Sequence, residues 1–330
     1  MRRWRQLAYL TVIILLAGLA PAQHSEYVHL MEQGAALERS GSYSEALAVF
    51  QEALGIAEHD HLHPRAIASS LNQVGMVYDD LGKFADAIRQ FRRALAMVES
   101  MEGKDNLNYA VLLGNLAADY GELKQDKTAR PLLREAIDIY VRHDATGDPR
   151  LAIARIGLAQ SDMNSGRYRD AQELLEQALA VLRLQQQASW RRQTAITLNN
   201  LGVVHRLQKH HAESEPLFLQ SIRMIEEEFG VDHPRLLEPL NNLALAYIDL
   251  GRPEDALATM RRARTIAEAR LRPEHPSYGR LLVNYGNVLR KTGHKAEGKQ
   301  LEAQGKSALI ESARSNGAGM TVDVTAFRPQ

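Results

Sequence analysis

The chain has 330 residues, 45% of them hydrophobic and 24% charged, and its forty Lys and Arg balance forty Asp and Glu. That mixture excludes a wholly disordered chain, and the absence of cysteine excludes disulfides, thiolate metal sites, a cysteine nucleophile and an acylated lipoprotein cysteine. A neutral balance argues against nucleic-acid partners, which need a basic face that displaces counterions.

The first element in chain order is an address. Arg2, Arg3 and Arg5 precede an apolar run from Leu7 to Ala20, and Ala20-Pro21-Ala22 sets small residues on either side of one position, with cleavage expected after Ala22. This is the three-part pattern of a secretory signal peptide over residues 1–22. The run falls short of the roughly 20 residues of a bilayer span. The expectation is an exported chain, periplasmic or secreted, with an uncleaved membrane anchor as the alternative. Loss of the signal leaves a slightly acidic mature chain.

The rest is self-similar. A small residue recurs at Gly34, Gly75, Ala117, Ala159, Gly202, Ala244 and Gly286, with gaps of 41 to 43 residues. Seven residues past each anchor stand Gly41, Gly82, Lys124, Gly166, Lys209, Gly251 and Gly293. Twelve and nineteen past it the residue is small, as in Ala87 and Ala94. Between those two lies a bulky residue: Phe50, Phe91, Leu133, Leu175, Phe218 or Met260, with Glu302 closing the series. Each position has a mechanical reason. Small residues let antiparallel helices approach, and the bulky one fills the hole between them. The glycine ends the first helix in the left-handed conformation. Ser42-Tyr-Ser-Glu45 reads as a capping box for a second helix, and Asp148-Pro149 and Asp232-His-Pro234 mark the starts of first helices.

This constellation resembles the tetratricopeptide repeat over residues 27–313, with repeats starting near 27, 68, 110, 152, 195, 237 and 279, and a flexible C-terminal tail at 314–330. The period exceeds the usual ~34 by about two helical turns. The longer unit, with His63-Pro64, His233-Pro234, His275-Pro276 and Asn-Asn-Leu in first helices, is similar to the kinesin-light-chain type of repeat. The resemblance implies an all-α fold: a right-handed α-solenoid of about seven helix-turn-helix repeats, its first helices lining a concave groove. It does not imply a motor role.

Several places depart from the template. Repeat 5 carries His205, Lys209, His211, Ser214 and Ser221 at framework positions, and repeat 4 carries Asp162 where repeat 5 has His205. Either both side chains reach solvent, or they form a buried Asp–His bond at a soft joint. Pro239 requires that the first helix of repeat 6 start late or kink. Glu302, flanked by Gly298 and Gly305, reads as the polar outer cap that a solenoid needs. Trp190 either packs over a helix entry or is an exposed anchor for a partner.

No catalytic set is present, so the chain is read as a non-enzyme without cofactors or a small-molecule substrate. Gly293 to Lys299 imitates a phosphate loop, but Gln300 stands where Ser or Thr is needed and no strand precedes it. His59, His61 and His63 are the one candidate metal set, in a loop better read as solvated. The groove is the functional surface. Amides recur there at Asn72, Asn115, Asn199, Asn200, Asn241, Asn242, Asn284 and Asn287, with Arg206 and Arg290 beside them. An amide donates and accepts, so it pairs with an extended peptide backbone of any sequence. The resemblance suggests this role for Asn115, Asn200, Asn242 and Asn284; alternatively these amides bond neighbouring helices and stabilise the stack. The expected function is a scaffold that binds a protein or peptide segment in the groove. The alternative is a self-association or envelope-assembly module using the convex face or the tail.

Overall fold

The structure, a computed structural model, describes residues 21–40, 42–185, 190–271 and 275–315. Most of the expected signal peptide (residues 1–20) and most of the expected tail (316–330) lie outside the described residues.

The chain forms two compact units, residues 1–185 and 186–330. The first contains four helix pairs: α1 (Pro21–Ser40) with α2 (Tyr43–His59), α3 (Pro64–Asp80) with α4 (Phe84–Glu102), α5 (Leu107–Glu122) with α6 (Asp126–Arg142), and α7 (Pro149–Asn164) with α8 (Tyr168–Arg183). The second contains three: α9 (Arg191–Leu207) with α10 (His211–Phe229), α11 (Leu237–Asp249) with α12 (Pro253–Arg270), and α13 (Pro276–Lys291) with α14 (Lys295–Ser315). Among the described residues there is no strand. The fold is the expected all-α solenoid of seven helix-turn-helix repeats. In each unit a helix packs first on its pair mate and then on the next helix in sequence, so the core is built from neighbours.

The repeating template is the core. Ala46, Ala53, Ala87, Ala94, Ala136, Ala171, Ala178, Ala256 and Ala263 are fully buried, as are Phe50, Phe218, Leu175 and Met260 between them. The anchor and the bulky residue sixteen positions on are matched in size. A Cβ built on Gly34, Gly75 or Gly202 would stand 2.6–2.7 Å from the ring of Phe50, Phe91 or Phe218. Where the anchor is Ala117, Ala159 or Ala244, the facing residue is Leu133, Leu175 or Met260. Repeat 7 solves the problem differently. Its helices approach until a Cβ on Gly298 would stand 2.5 Å from the Gly286 carbonyl oxygen, and one on Gly305 2.6 Å from that of Gly279. Backbone contact replaces the knob, and Glu302 turns outward to take bonds from Arg290 at 2.9 Å and Lys306 at 2.7 Å.

The turns inside the pairs share one geometry. Gly82, Gly166, Gly251 and Gly293 have positive φ, and so do Lys124 (φ 58°) and Lys209 (φ 66°). The following amide then reaches back to the carbonyl five residues earlier, as in Lys83 N to Tyr78 O and His210 N to His205 O, both 2.8 Å. This is the Schellman closure that satisfies the last carbonyls of a helix. The expected capping box at Ser42 does not form. Ser42 enters the helix at ψ 58° without a side-chain cap bond, because this tight turn leaves the residue outside the extended conformation a capping side chain uses. Lysine in the left-handed region is strained by about 1–2 kcal/mol. Part of that is returned by its smaller unfolded-state entropy. Lys124→Gly and Lys209→Gly are each expected to stabilise the fold by about 0.5 kcal/mol, read as a higher urea midpoint.

Between pairs, imidazoles cap helices. Nδ1 of His63, His233 and His275 accepts the backbone N–H of Arg65, Arg235 and Ser277 at 3.1–3.2 Å, and proline follows each histidine at the first helical position. Asp148 does the same for Arg150 at 2.8 Å. Repeat 6 starts late: a 3₁₀ turn at Pro234–Leu236 precedes α11, so Pro239 falls in the first helical turn, where no intrahelical N–H is needed.

Candidate functional site

Within each unit, the first helices touch their successors: α3 with α5, α5 with α7, α9 with α11, and α11 with α13. The second helices make no comparable contact with one another. The first helices therefore form the narrower, inner layer. Side chains six and three residues before the anchor, and one and four after it, recur on one helical face.

The amides of this layer are largely bonded to one another. Asn115 Nδ2 donates to Asn72 Oδ1 at 2.9 Å, and Asn242 Nδ2 donates to Asn199 Oδ1 at 3.0 Å. Both rungs join residues 43 apart, from two positions before one anchor to three before the previous one. Asn72 donates in turn to Met76 Sδ at 3.2 Å, Asn199 to Glu238 Oε1 at 3.2 Å, and Asn241 to Asn242 Oδ1 at 3.4 Å. These asparagines thus lock neighbouring first helices in register. Asn200, Asn284 and Asn287 make no hydrogen bond to the described residues. Asn241 Oδ1 is buried and accepts none. The equivalent third rung, Asn284 to Asn241, is not closed.

The charges sort in the same way. Arg206 donates to Asp249 Oδ2 at 3.0 Å and Arg290 to Glu302. Desolvation pushes the Glu238 carboxyl above its usual range, although Arg280 and the Asn199 bond oppose the shift. In the first unit, Asp119 on α5 is 1% exposed. Burial first, then the charge of the Asp79 carboxylate beside it, the side-chain hydrogen bond with Asp79, and Glu122 raise it to about 9, so it holds its proton at neutral pH. The sequence reading passed over Asp119. The signal was available, since the equivalent residues Val77, Val204, Ala246 and Val288 are apolar and buried.

Other candidates resolve individually. Asp162 is buried but not bound to His205: Arg130 and Arg167 both donate to its Oδ1 at 2.8 Å through Nε. His205 lies 6.0 Å from His210, ring to ring. The two serines of repeat 5 are buried and satisfied, Ser221 by the Ala195 carbonyl at 2.7 Å and Ser214 by that of His211 at 2.8 Å. Trp190 is 3% exposed, so it is no exposed anchor. His59 bonds Asp60 at 2.8 Å, His63 caps α3 and His61 is exposed at positive φ. Among the described residues no group of three or more His, Cys, Asp or Glu is placed to hold a metal ion.

Models of the tetratricopeptide repeat match residues 27–100, 66–142, 110–184, 193–269 and 239–301, and a second model of that repeat matches 156–226. Kinesin light chain-related protein 3 of Arabidopsis thaliana is 27% identical over 276 residues, 77% of this chain and 40% of that protein. The chain thus spans less than half the length of that relative. Among solved structures, a Rap protein complexed with competence and sporulation factor superposes with TM-score 0.63 at 17% identity, covering 94% of this chain and 92% of that one. The Rap conjugation gene regulator of plasmid pLS20, in complex with the Phr* peptide, gives 0.64 at 12% identity, covering 93% and 81%. Repeat period, left-handed turn residues, small-residue core and family match agree: the chain is a member of the tetratricopeptide-repeat family, with kinesin light chain-like relatives.

Proposed function

We propose that this protein is an exported, noncatalytic scaffold that binds an extended peptide or protein segment along the inner face of its first helices. The observation that carries the reading is the division of labour among the amides. Asn72, Asn115, Asn199 and Asn242 are spent on holding the helices in register, while Asn200 and Asn284 of the second unit keep donors and acceptors for a ligand backbone. Two solved proteins of this fold carry a competence and sporulation factor or a Phr* peptide in their described complexes, which supports a peptide-binding use of the architecture. The basic, apolar and small-residue segments of residues 1–22 support export, to the periplasm or the exterior.

The test is affinity capture from the native envelope fraction with the wild type and with Asn200→Ala/Asn284→Ala. Neither amide bonds a described residue, so the variant should unfold at the wild-type urea concentration. Each lost ligand bond is worth about 1 kcal/mol, so captured partner should fall about tenfold or more. Undiminished capture would remove these amides from the binding surface.

A further inference from the structure

One position in the first unit carries a charge where the repeat calls for an apolar side chain. Four residues before the anchor stand Leu30, Leu71, Leu113, Leu198, Leu240 and Leu282, but in repeat 4 Arg155. The six leucines are each at most 8% exposed. Four residues are about one helical turn, so this position shares the anchor's stripe, which packs on the second helix of the pair, and lies off the amide face. Arg155 on α7 is partly buried. Its Nε is sealed from solvent with no hydrogen-bond partner, whereas its Nη atoms are not sealed. The guanidinium is thus seated at its base and open at its tip.

Other arginines around α7 have partners. Asp148 takes Arg150 Nε at 2.9 and 3.0 Å, and Asp162 takes both Arg130 and Arg167. Among the described residues none hydrogen-bonds or ion-pairs with Arg155, and desolvation alone acts on its pKa, downward. Arginine cannot answer burial by giving up its proton, so the charge stays, and a desolvated charge without a partner costs stability. Leucine would serve the helix pair better. What the position gains from arginine is a fixed guanidinium with two free N–H groups at its tip.

We propose that Arg155 is a docking point for a carboxylate of a partner protein segment, an Asp or Glu side chain that accepts from the outward Nη groups. This assignment rests on the scaffold reading above and adds the charge of the segment and a contact outside the amide face. The two outward Nη groups match the two oxygens of a carboxylate, and the partial burial that costs the free protein strengthens the pair once it forms. Phosphate fits the same fork, but a phosphate polymer needs a field of cations, and this chain has as many acids as bases. A single guanidinium suits a single carboxylate.

The test is selection of random twelve-residue peptides displayed on phage against the full chain, depletion of the pool on Arg155→Leu, and affinity measurement on individual synthetic binders. Surviving peptides should carry Asp or Glu. Replacing that acid by its amide should weaken binding to the wild type about tenfold, the loss of a charge-assisted bond, and less than about twofold to Arg155→Leu. Arg155→Lys keeps the charge without the fork and should bind with intermediate affinity. Arg155→Leu restores the residue of the six other repeats and should unfold at a higher urea concentration than wild type. A lower midpoint would mean that Arg155 has a structural partner in the free chain and would overturn the site. No survivors of the depletion, survivors without an acid, or equal losses on both proteins would overturn it as well, while leaving the scaffold reading in place. Recovery of no peptide above an inert helical control before depletion would overturn both.

Discussion

Gly75→Ala should destabilise the protein by about 2 kcal/mol, and adding Phe91→Leu should restore most of that loss. The added methyl would stand 2.7 Å from the Phe91 ring, inside any allowed contact. Phe91 is 1% exposed and has no free space to retreat into. Overpacking of this kind costs about 1–3 kcal/mol, partly offset by the better helix propensity of alanine, worth about 1 kcal/mol. Phe91→Leu alone removes buried carbon and leaves a cavity, again about 1–3 kcal/mol. The two changes together reproduce the pairs the chain already uses, Ala117 with Leu133 and Ala159 with Leu175. The double variant should therefore lie within about 1 kcal/mol of wild type, a coupling that only contacting residues show. Gly202→Ala with Phe218→Leu should behave alike, since that contact is 2.6 Å. Urea midpoints of the full chain measure both cycles. A double variant as unstable as the sum of the singles would show that the anchor and knob are not matched by size.

That matching explains why the fold was legible in the sequence. The constraints are local: each glycine, alanine and phenylalanine acts within its own helix pair, at fixed offsets that repeat seven times. Lys124 and Lys209 at the glycine position were readable as turn residues for the same reason, and both take positive φ. The inner face was only partly legible, because its bonds run between repeats. Asn115 and Asn72 look like a free groove pair in sequence; only the contact of α3 with α5 makes them partners. Neither reading of Asp162, in solvent or bonded to His205, holds, because Arg130 reaches it from the preceding repeat, 32 residues away, through a long side chain at no framework position. Ser42 failed for a related reason: the turn geometry sets capping there, not residue type, whereas Trp190 is buried at the entry of α9, the packing reading of the two. Asp119 was overlooked because the repeats were compared at the positions that conform, whereas the information lay in the position where one of them does not.

Asp119 sets the direction in which stability should change with pH. Its carboxyl titrates near 3.8 in the unfolded chain and about 9 in the folded one. The folded state binds the proton more tightly, so this group favours folding most below its unfolded pKa. That contribution is lost progressively as pH rises from about 4 toward 9. At pH 7 to 8 the unfolded chain has released the proton while the folded chain still holds it. Asp119→Asn cannot ionise in either state and should escape this penalty. The variant should be more stable than wild type by on the order of 2 kcal/mol at pH 8, a conservative figure when each pKa unit is worth about 1.4 kcal/mol. Below pH 4 the advantage should vanish, since both proteins then carry a neutral side chain at that position in either state. Urea unfolding of wild type and variant across pH 3.5 to 9, in one buffer system at constant ionic strength, separates this from a general charge effect. His275 runs with the opposite sign. Desolvation and the nearby Arg280 lower its pKa, and its Nδ1 must stay unprotonated to accept from Ser277, so its contribution is lost as pH falls below its unfolded value of about 6.5. That effect is common to both proteins and cancels in their difference. A gap that grows from acid to alkaline pH therefore reports the buried carboxyl, and a flat gap would mean that Asp119 is ionised in the folded state.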